Sequence, residues 1–165
     1  MIDEAALAVE VTIPCPLWVH VCADAAALAA TAARLALLRS EAPPASVVDV
    51  TLTDDAAQRA LNHTWRGKDA STNVLAFPAA DPTIPPPDGA PLLLGDVILA
   101  YETVSREAEE QHKPLADHLR HLVVHGVLHL LGYDHIETAG AAAMEAREIA
   151  ILAELGVPNP YRDII

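Results

Sequence analysis

An eleven-residue segment, HGVLHLLGYDH from His125 to His135, constrains the fold of this chain more than any other. His125 and His129 are four residues apart, so their imidazoles face the same side of a helix with 3.6 residues per turn. Gly132 follows within one turn, and glycine readily takes the left-handed conformation that ends a helix. The segment therefore predicts a helix and a turn, after which the chain can bring His135 back to the other two histidines.

Three histidines gathered in this way are typical of a metal site. Imidazole is a common zinc ligand, and three protein ligands leave the fourth corner of the tetrahedron open, as in catalytic zinc sites. The alternative is a histidine-rich polar surface, since a single His pair at this spacing is weak as a motif. We predict that His125, His129 and His135 bind one Zn²⁺ ion, although imidazole sites also accept nickel, copper and iron.

Two further histidines fall on the same stripe of the predicted helix. His118 and His121 precede the first predicted ligand, and the four histidines are spaced 3, 4 and 4 residues apart. We expect His118 and His121 to be solvated, with a minor alternative in which either approaches a phosphate from the rim of the site. The adjoining face, which should pack on the core, consists of Leu115, Leu119, Leu122 and Gly126.

The residue after the first histidine distinguishes between two kinds of chemistry. In metallopeptidases with the HExxH motif, a Glu at this position is the general base that acts on the zinc-bound water. Here the residue is Gly126, which has no side chain for that role. A substrate that carries its own nucleophile, such as the 2′-hydroxyl of RNA, depends less on a protein base. Gly126 thus weakens the peptidase interpretation without excluding hydrolysis.

A second segment, NHTWRGKDASTNVLAFP from Asn62 to Pro78, places cations around a glycine turn directly before a strand. Arg66 suits paired hydrogen bonds to phosphate, and Lys68 adds a point charge. Trp65 could stack on an unpaired base. The alternative is structural: Arg66 pairs with Asp69, and Trp65 fills the core. The residues alone leave both interpretations open.

Length and composition favour one domain over residues 1–165, with 52% apolar residues. The acidic N-terminus does not resemble a signal peptide, and no uncharged apolar run reaches the length of a membrane span. We therefore expect a cytoplasmic protein with no membrane partner. The net charge of −13 argues against a broad nucleic-acid-binding surface, and no DNA partner is expected. Half of the ten cations form a candidate local basic patch: Arg34, Arg39, Arg59, Arg66 and Lys68.

Alternating apolar patterns predict strands at 7–13, 46–53, 71–77 and 92–100. Helices are predicted at 17–40, from a Thr53 or Asp54 cap to about 65, at 101–111, from Pro114 onwards, and at 138–155. Six prolines between Pro78 and Pro91 predict a stiff exposed loop. The pattern indicates an α+β fold.

The chain resembles the YbeY family of bacterial endoribonucleases and ribosomal-RNA maturation factors. The resemblance is carried by HGVLHLLGYDH, NHTWRGKDASTNVLAFP, LLGDVILA and the later Met144-Glu145, in that family's order, over about residues 46–155. It implies an α+β fold with a mixed four-stranded sheet packed with about five helices. One departure is Asn73, where the usual family pattern has Asp, and no catalytic role is assigned to that position.

The resemblance also implies a function. It predicts a zinc-dependent, single-strand-specific endoribonuclease that matures the 3′ end of 16S ribosomal RNA and takes part in ribosome quality control. Its partners would be precursor or single-stranded ribosomal RNA and the ribosome or small subunit. The zinc ligands would be His125, His129 and His135, with Arg66 catalytic at the mouth of the cleft. Two alternatives remain: a zinc peptidase-like hydrolase, and a non-enzymatic ribosome-associated factor with structural zinc.

Overall fold

The computed structural model of the protein describes residues 7–79, 90–133 and 138–161. His135 and most of the proline loop lie outside these residues. The strands are β1 (Ala8–Thr12), β2 (Ser46–Thr53), β3 (Val74–Pro78) and β4 (Leu92–Ala100). The helices are α1 (Leu17–Val21), α2 (Ala25–Arg39), α3 (Asp55–Arg66), α4 (Tyr101–Glu110), α5 (Leu115–Leu130) and α6 (Thr138–Glu154).

The four strands form one mixed sheet in the order β1-β2-β4-β3. β1 and β4 both run parallel to β2, whereas β3 runs antiparallel to β4. The strict alternation of β2 puts Val48, Val50 and Leu52 into the core. Helices α2 and α5 pack against each other as well as against the sheet. The predicted α+β fold with a mixed four-stranded sheet is confirmed.

Local sequence signals set the beginning of α3 and the end of α5. The Asp54 carboxylate caps α3 by accepting the Ala57 N–H at 2.8 Å. Helix α5 ends as predicted at Gly132, which has a φ of 99°. The N–H of Gly132 donates to the carbonyl of His129, and that of Tyr133 to Leu128, both at 3.0 Å. These are the two bonds of a Schellman motif, which turns the chain sharply after the second predicted ligand.

Two predicted elements differ from the structure. The helix predicted at 17–40 is two helices, α1 and α2, so six helices are present within the described residues instead of about five. The break lets Trp18 turn into the core and donate its indole N–H to the Thr53 carbonyl at 2.9 Å. Strand β3 begins at Val74 rather than 71, because the Thr72 N–H donates to Gln58 instead of to a neighbouring strand.

Candidate active site

Two of the three predicted ligands meet on α5. The Nε2 atoms of His125 and His129 lie 3.2 Å apart. Two nitrogens bound to one tetrahedral zinc at 2.0–2.1 Å would be about 3.4 Å apart. The pair therefore fits a zinc ion after a small rotation of either ring. His135 lies outside the described residues, so its position as the third ligand stays a prediction.

Gly126 lies on the face of α5 that the sequence predicts to pack on the core, and the structure sets it against strand β4. A Cβ atom at this position would lie 2.6 Å from Cγ1 of Val97 on β4, closer than real Cβ contacts occur. The glycine thus allows α5 to lie directly on the sheet beside the two histidines. A glutamate could not be accommodated here without moving the helix, so the base of the HExxH peptidases is sterically disfavoured at this position.

A buried carboxylate stands behind the first histidine. Glu148 on α6 is completely buried and lies 2.5 Å from Nδ1 of His125. Its other oxygen accepts a hydrogen bond from the Tyr161 hydroxyl. Nε2 of His121 lies 3.5 Å from the same oxygen, which is an electrostatic contact at the outer limit of hydrogen bonding. Glu148 is therefore held by groups from α5 and from the segment after α6.

The charge state of this carboxylate follows from those contacts. Burial alone would raise the pKa of Glu148, but its contacts with His121, His125 and Tyr161 outweigh burial and lower the pKa to about 2. Burial and the neighbouring Glu148 carboxylate both raise the pKa of the Tyr161 phenol, which stays a hydroxyl donor. A negative charge thus lies directly behind the His125 ring.

His121, His125 and Glu148 also form a group whose ligand atoms lie within 4.8 Å of one another. A metal bound by both His125 Nδ1 and Glu148 would hold these atoms about 3.3 Å apart. The observed 2.5 Å is a hydrogen-bond distance instead. Glu148 is therefore better placed to orient His125 than to bind the ion beside it.

The two α5 histidines open into a cavity of about 560 Å³. Arg66 at the end of α3 and Lys68 just beyond it line the same cavity. The sequence-predicted cations and the predicted metal ligands, which are about 60 positions apart in the chain, are thus brought to one place. The remaining wall comes largely from residues 70–76 along β3 and the segment before it.

Two buried amides of α3 hold the segment that carries Lys68. Gln58 accepts the Thr72 N–H at 2.8 Å and donates to the Ile98 carbonyl at 3.0 Å. Asn62 donates to the Ala70 carbonyl at 2.7 Å. These bonds fix the backbone at residues 70 and 72, which also line the cavity.

The structural alternative for the second segment is wrong. Asp69 pairs with Arg59 at 2.7 Å instead of with Arg66, and this pair lowers the pKa of Asp69 through the hydrogen bond and the charge of Arg59. Trp65 is 71% exposed and fills no core position. Arg66 and Lys68 are exposed and make no hydrogen bond or ion pair with the residues that the structure describes. Both remain available to a ligand in the cavity.

Comparisons with known proteins identify the family. A family profile described as "Endoribonuclease YbeY" matches residues 20–156. The chain belongs to the YbeY family. A relative from Paramagnetospirillum magneticum, named "Endoribonuclease YbeY", is 52% identical over 158 residues, 93% of this chain and 94% of the relative. One of the same name from Rhodopseudomonas palustris (strain BisB18) is 49% identical over 157 residues, 94% and 93% of the two chains.

A solved structure shows the same fold. The solution structure of a protein from Thermotoga maritima matches with a TM-score of 0.54 and 20% identity, and covers 94% of this chain and 96% of that one. At this identity the likeness speaks for the YbeY-like fold alone. Within the described residues, no helix is both long and apolar enough to cross a membrane.

Asn73, where the resemblance predicts an aspartate, makes a specific contact in this chain. Asn73 lines the cavity and donates its amide N–H to Glu107 at 3.0 Å. The same Glu107 oxygen lies 2.9 Å from His118 Nε2. An aspartate at position 73 would set a second carboxylate against Glu107, whereas the amide supplies a donor.

The expectation that His118 and His121 are solvated is wrong. His118 is only 3% exposed, and the side chain of His121 only 13%. Burial lowers the pKa of His118 below its ordinary value, although its contact with Glu107 opposes the change. Neither histidine lines the cavity, so a rim contact with substrate is not supported.

The candidate basic patch is only partly present. Arg34 donates to the Leu7 carbonyl, Arg39 pairs with Glu154, and Arg59 pairs with Asp69. Only Arg66 and Lys68 of the five cations line the cavity.

Sequence reasoning missed Glu148, although its position carries a signal. Glu148 lies on the buried stripe of α6, four residues after Met144 and three before Ile151, which are both buried. A glutamate on an apolar helix face requires a buried partner. The position of Glu148 on the buried stripe of α6, together with the histidines of α5 as possible partners, is therefore the signal that could have identified it.

Proposed function

We propose that this chain is a zinc-dependent endoribonuclease that cuts single-stranded RNA. The observation that carries the proposal is one cavity that joins two imidazole nitrogens 3.2 Å apart with Arg66 and Lys68, two cations that pair with no residue in the described part of the chain. The name of the relatives supports RNA as substrate. The family resemblance extends the proposal to cytoplasmic maturation of the 16S ribosomal RNA 3′ end, ribosome quality control and association with the ribosome or small subunit.

In this proposal His125, His129 and His135 hold one Zn²⁺ ion. When bound, zinc supplies Lewis acidity towards a phosphate oxygen or a water molecule at the open position. The body of the protein is acidic, so this cation and the two basic side chains give the cavity a local positive charge that attracts phosphate.

Arg66 is the proposed catalytic cation. Its guanidinium donates paired hydrogen bonds to phosphate oxygens and stabilises charge that develops during cleavage. Lys68 adds a second positive charge, and the exposed Trp65 ring offers a stacking surface for an unpaired base. The cavity has the size of a small-ligand pocket, so it admits a nucleotide or two of a flexible strand and not a duplex.

Gly126 supplies no general base, so the proposed nucleophile is the substrate's own 2′-hydroxyl. DNA lacks this hydroxyl and is not an expected substrate. A peptidase would need a base other than residue 126, where Gly126 has no side chain and any added one would press against Val97.

The test combines metal analysis with cleavage assays of the purified protein. We expect about one zinc per chain, cleavage of single-stranded RNA but not of duplex RNA or DNA, loss of cleavage on chelation, and recovery on adding Zn²⁺. His129→Ala should lose both the metal and the activity. Equal cleavage by wild type and His129→Ala would indicate a contaminating nuclease and refute the proposal. Ribosome binding with bound zinc but no cleavage would favour the non-enzymatic factor instead.

A further inference from the structure

Glu148 is the buried charge that requires an explanation beyond the proposed reaction. It does not line the cavity, and its carboxylate is completely shielded from solvent. Burying an ionised carboxylate is costly unless donors and positive charge compensate it. The compensating donors are His125 on one oxygen and Tyr161 on the other. A carboxylate retained at this cost on an apolar helix face suggests a task in the site.

The geometry at His125 defines that task. The 2.5 Å contact between Nδ1 of His125 and Glu148 is a hydrogen-bond distance, so this nitrogen is occupied by the carboxylate. Nε2, which faces Nε2 of His129, is therefore the nitrogen that His125 can offer to a metal. Carboxylates that bind the far nitrogen of a histidine commonly fix the ring and tautomer of metal ligands.

Tyr161 extends this arrangement to the end of the described chain. Its hydroxyl donates to the second oxygen of Glu148, and its ring lies edge-on to His121 with centroids 5.5 Å apart. The backbone N–H of Tyr161 donates to the Asn159 side chain at 2.8 Å, which fixes the turn that carries it. The carboxylate therefore cannot rotate away from His125 without losing the tyrosine.

We infer that Glu148 is a positioning residue that holds His125 ready to bind the metal through Nε2, and that Tyr161 fixes Glu148 in that orientation. This inference rests on the proposed function, in so far as His125 is taken to be a zinc ligand. It assigns Glu148 no contact with the metal or the substrate.

The experiment measures Zn²⁺ affinity of metal-stripped protein by competition with a chelator. Glu148→Met keeps the length of the side chain and removes both acceptor oxygens, so affinity should fall by about 10- to 100-fold. Glu148→Gln retains one acceptor and should lie between Glu148→Met and wild type. Tyr161→Phe should lose less than about tenfold, because it acts through Glu148.

Glu145→Gln is the matched control. Glu145 is exposed on the same helix, and its charge also contributes to raising the pKa of Tyr161. Its removal changes the local charge while leaving the hydrogen bonds to Glu148 in place, so zinc affinity should stay at the wild-type value. If Glu145→Gln loses as much zinc affinity as the Glu148 variants, the loss would reflect the general negative charge of this region and would overturn the positioning role.

Nitrogen NMR of the metal-free wild type provides a measurement that needs no variant. We expect Nδ1 of His125 to be hydrogen-bonded to Glu148, and a ring that carries its only hydrogen on Nε2 would overturn the inference even if Glu148→Met fails to fold. So would wild-type zinc affinity in Glu148→Met and Glu148→Gln, or a zinc-bound structure with Glu148 as a direct ligand. Wild-type protein that binds no zinc would instead refute the proposed function itself.

Discussion

The two sides of the cavity are built in opposite ways. On the α5 side, the histidines stand on a helix whose inner face is fully buried at Leu119, Val123 and Val127, and Glu148 holds one imidazole from behind. On the α3 side, Arg66 and Lys68 are exposed, and no described residue pairs with either. The backbone that follows the cations is fixed by side chains of α3, at Ala70 by Asn62 and at Thr72 by Gln58.

This difference follows from what each side has to bind. A metal site requires ligands held within about half an ångström of their working positions, which demands packing and supporting hydrogen bonds. A flexible polyanion is bound better by long cationic side chains that can adjust to its shape. Substitutions on the α5 side should therefore change metal affinity or stability, whereas those on the α3 side should change only the handling of substrate.

Arg66→Ala tests the α3 side with the largest expected effect. Loss of a charged donor at the reacting phosphate should lower kcat/KM for single-stranded RNA by about 100-fold. Zinc affinity and thermal stability should stay unchanged, because Arg66 supports no described residue. Arg66→Lys should recover part of the rate, since it keeps the charge but not the paired donors.

Arg106→Ala is the control for this comparison. Arg106 is exposed on α4 and does not line the cavity, so its removal changes the net charge equally and should leave cleavage intact. A fall in zinc affinity with Arg66→Ala would show that the two sides of the cavity are coupled and break the division between them.

Gly126→Ala tests the packing of the α5 side. The added methyl group would lie 2.6 Å from Val97 Cγ1, and overpacking of this kind costs about 1–3 kcal/mol. The better helix propensity of alanine returns up to about 1 kcal/mol. We expect a net loss of about 1–2 kcal/mol in the free energy of unfolding of metal-free protein, measured with urea. Adding Val97→Ala to Gly126→Ala should restore part of the lost stability. If the effects of the two substitutions simply add up, the result would contradict a direct contact between these residues.

The features that depend on residues close together in the chain were predictable from the sequence. Strand β2 occupies Ser46–Thr53 as predicted, because the alternation that marks a strand involves only neighbouring residues in the sequence. The end of α5 at Gly132 was also predictable, since helix stops depend on one residue and its neighbours. The pairing of His125 with His129 needed only the helical period.

The long-range parts were not predictable in the same way. Glu148 is 23 positions from His125, and nothing in either local pattern says that α6 lies behind α5. The burial of His118 depends on Glu107 from α4, and the requirement for Gly126 depends on Val97 from β4. Each of these facts arises from the packing of two elements, which periodicity within one element does not determine.

Trp65→Ala should produce a smaller change on the α3 side. Stacking of one base on an aromatic ring contributes about 1–3 kcal/mol, and the 71% exposure of this ring favours the lower end. We expect KM for single-stranded RNA to rise by roughly fivefold with little change in kcat, measured under steady-state conditions. Trp65→Phe keeps an aromatic face and should lose less. An unchanged KM in Trp65→Ala would remove this residue from the substrate surface.

The smallest expected effect is a pH dependence that belongs to the α5 side alone. Burial lowers the pKa of His118, Glu107 opposes this, and His121 and Lys113 add to it. Below pH about 6.5 the unfolded chain therefore takes up a proton at this residue more readily than the folded chain. Stability should fall as the pH drops through that value, and be fully retained above it.

His118→Gln has no titrating ring and should flatten the fall in melting temperature that the wild type shows as the pH drops below about 6.5. His63→Gln, on the exposed surface of α3, is the matched control and should retain the wild-type slope. The contrast matters more than the size of either change, because His118 is buried against Glu107 whereas His63 is exposed. Equal slopes in the two variants and the wild type would show that folding does not change the proton uptake of His118.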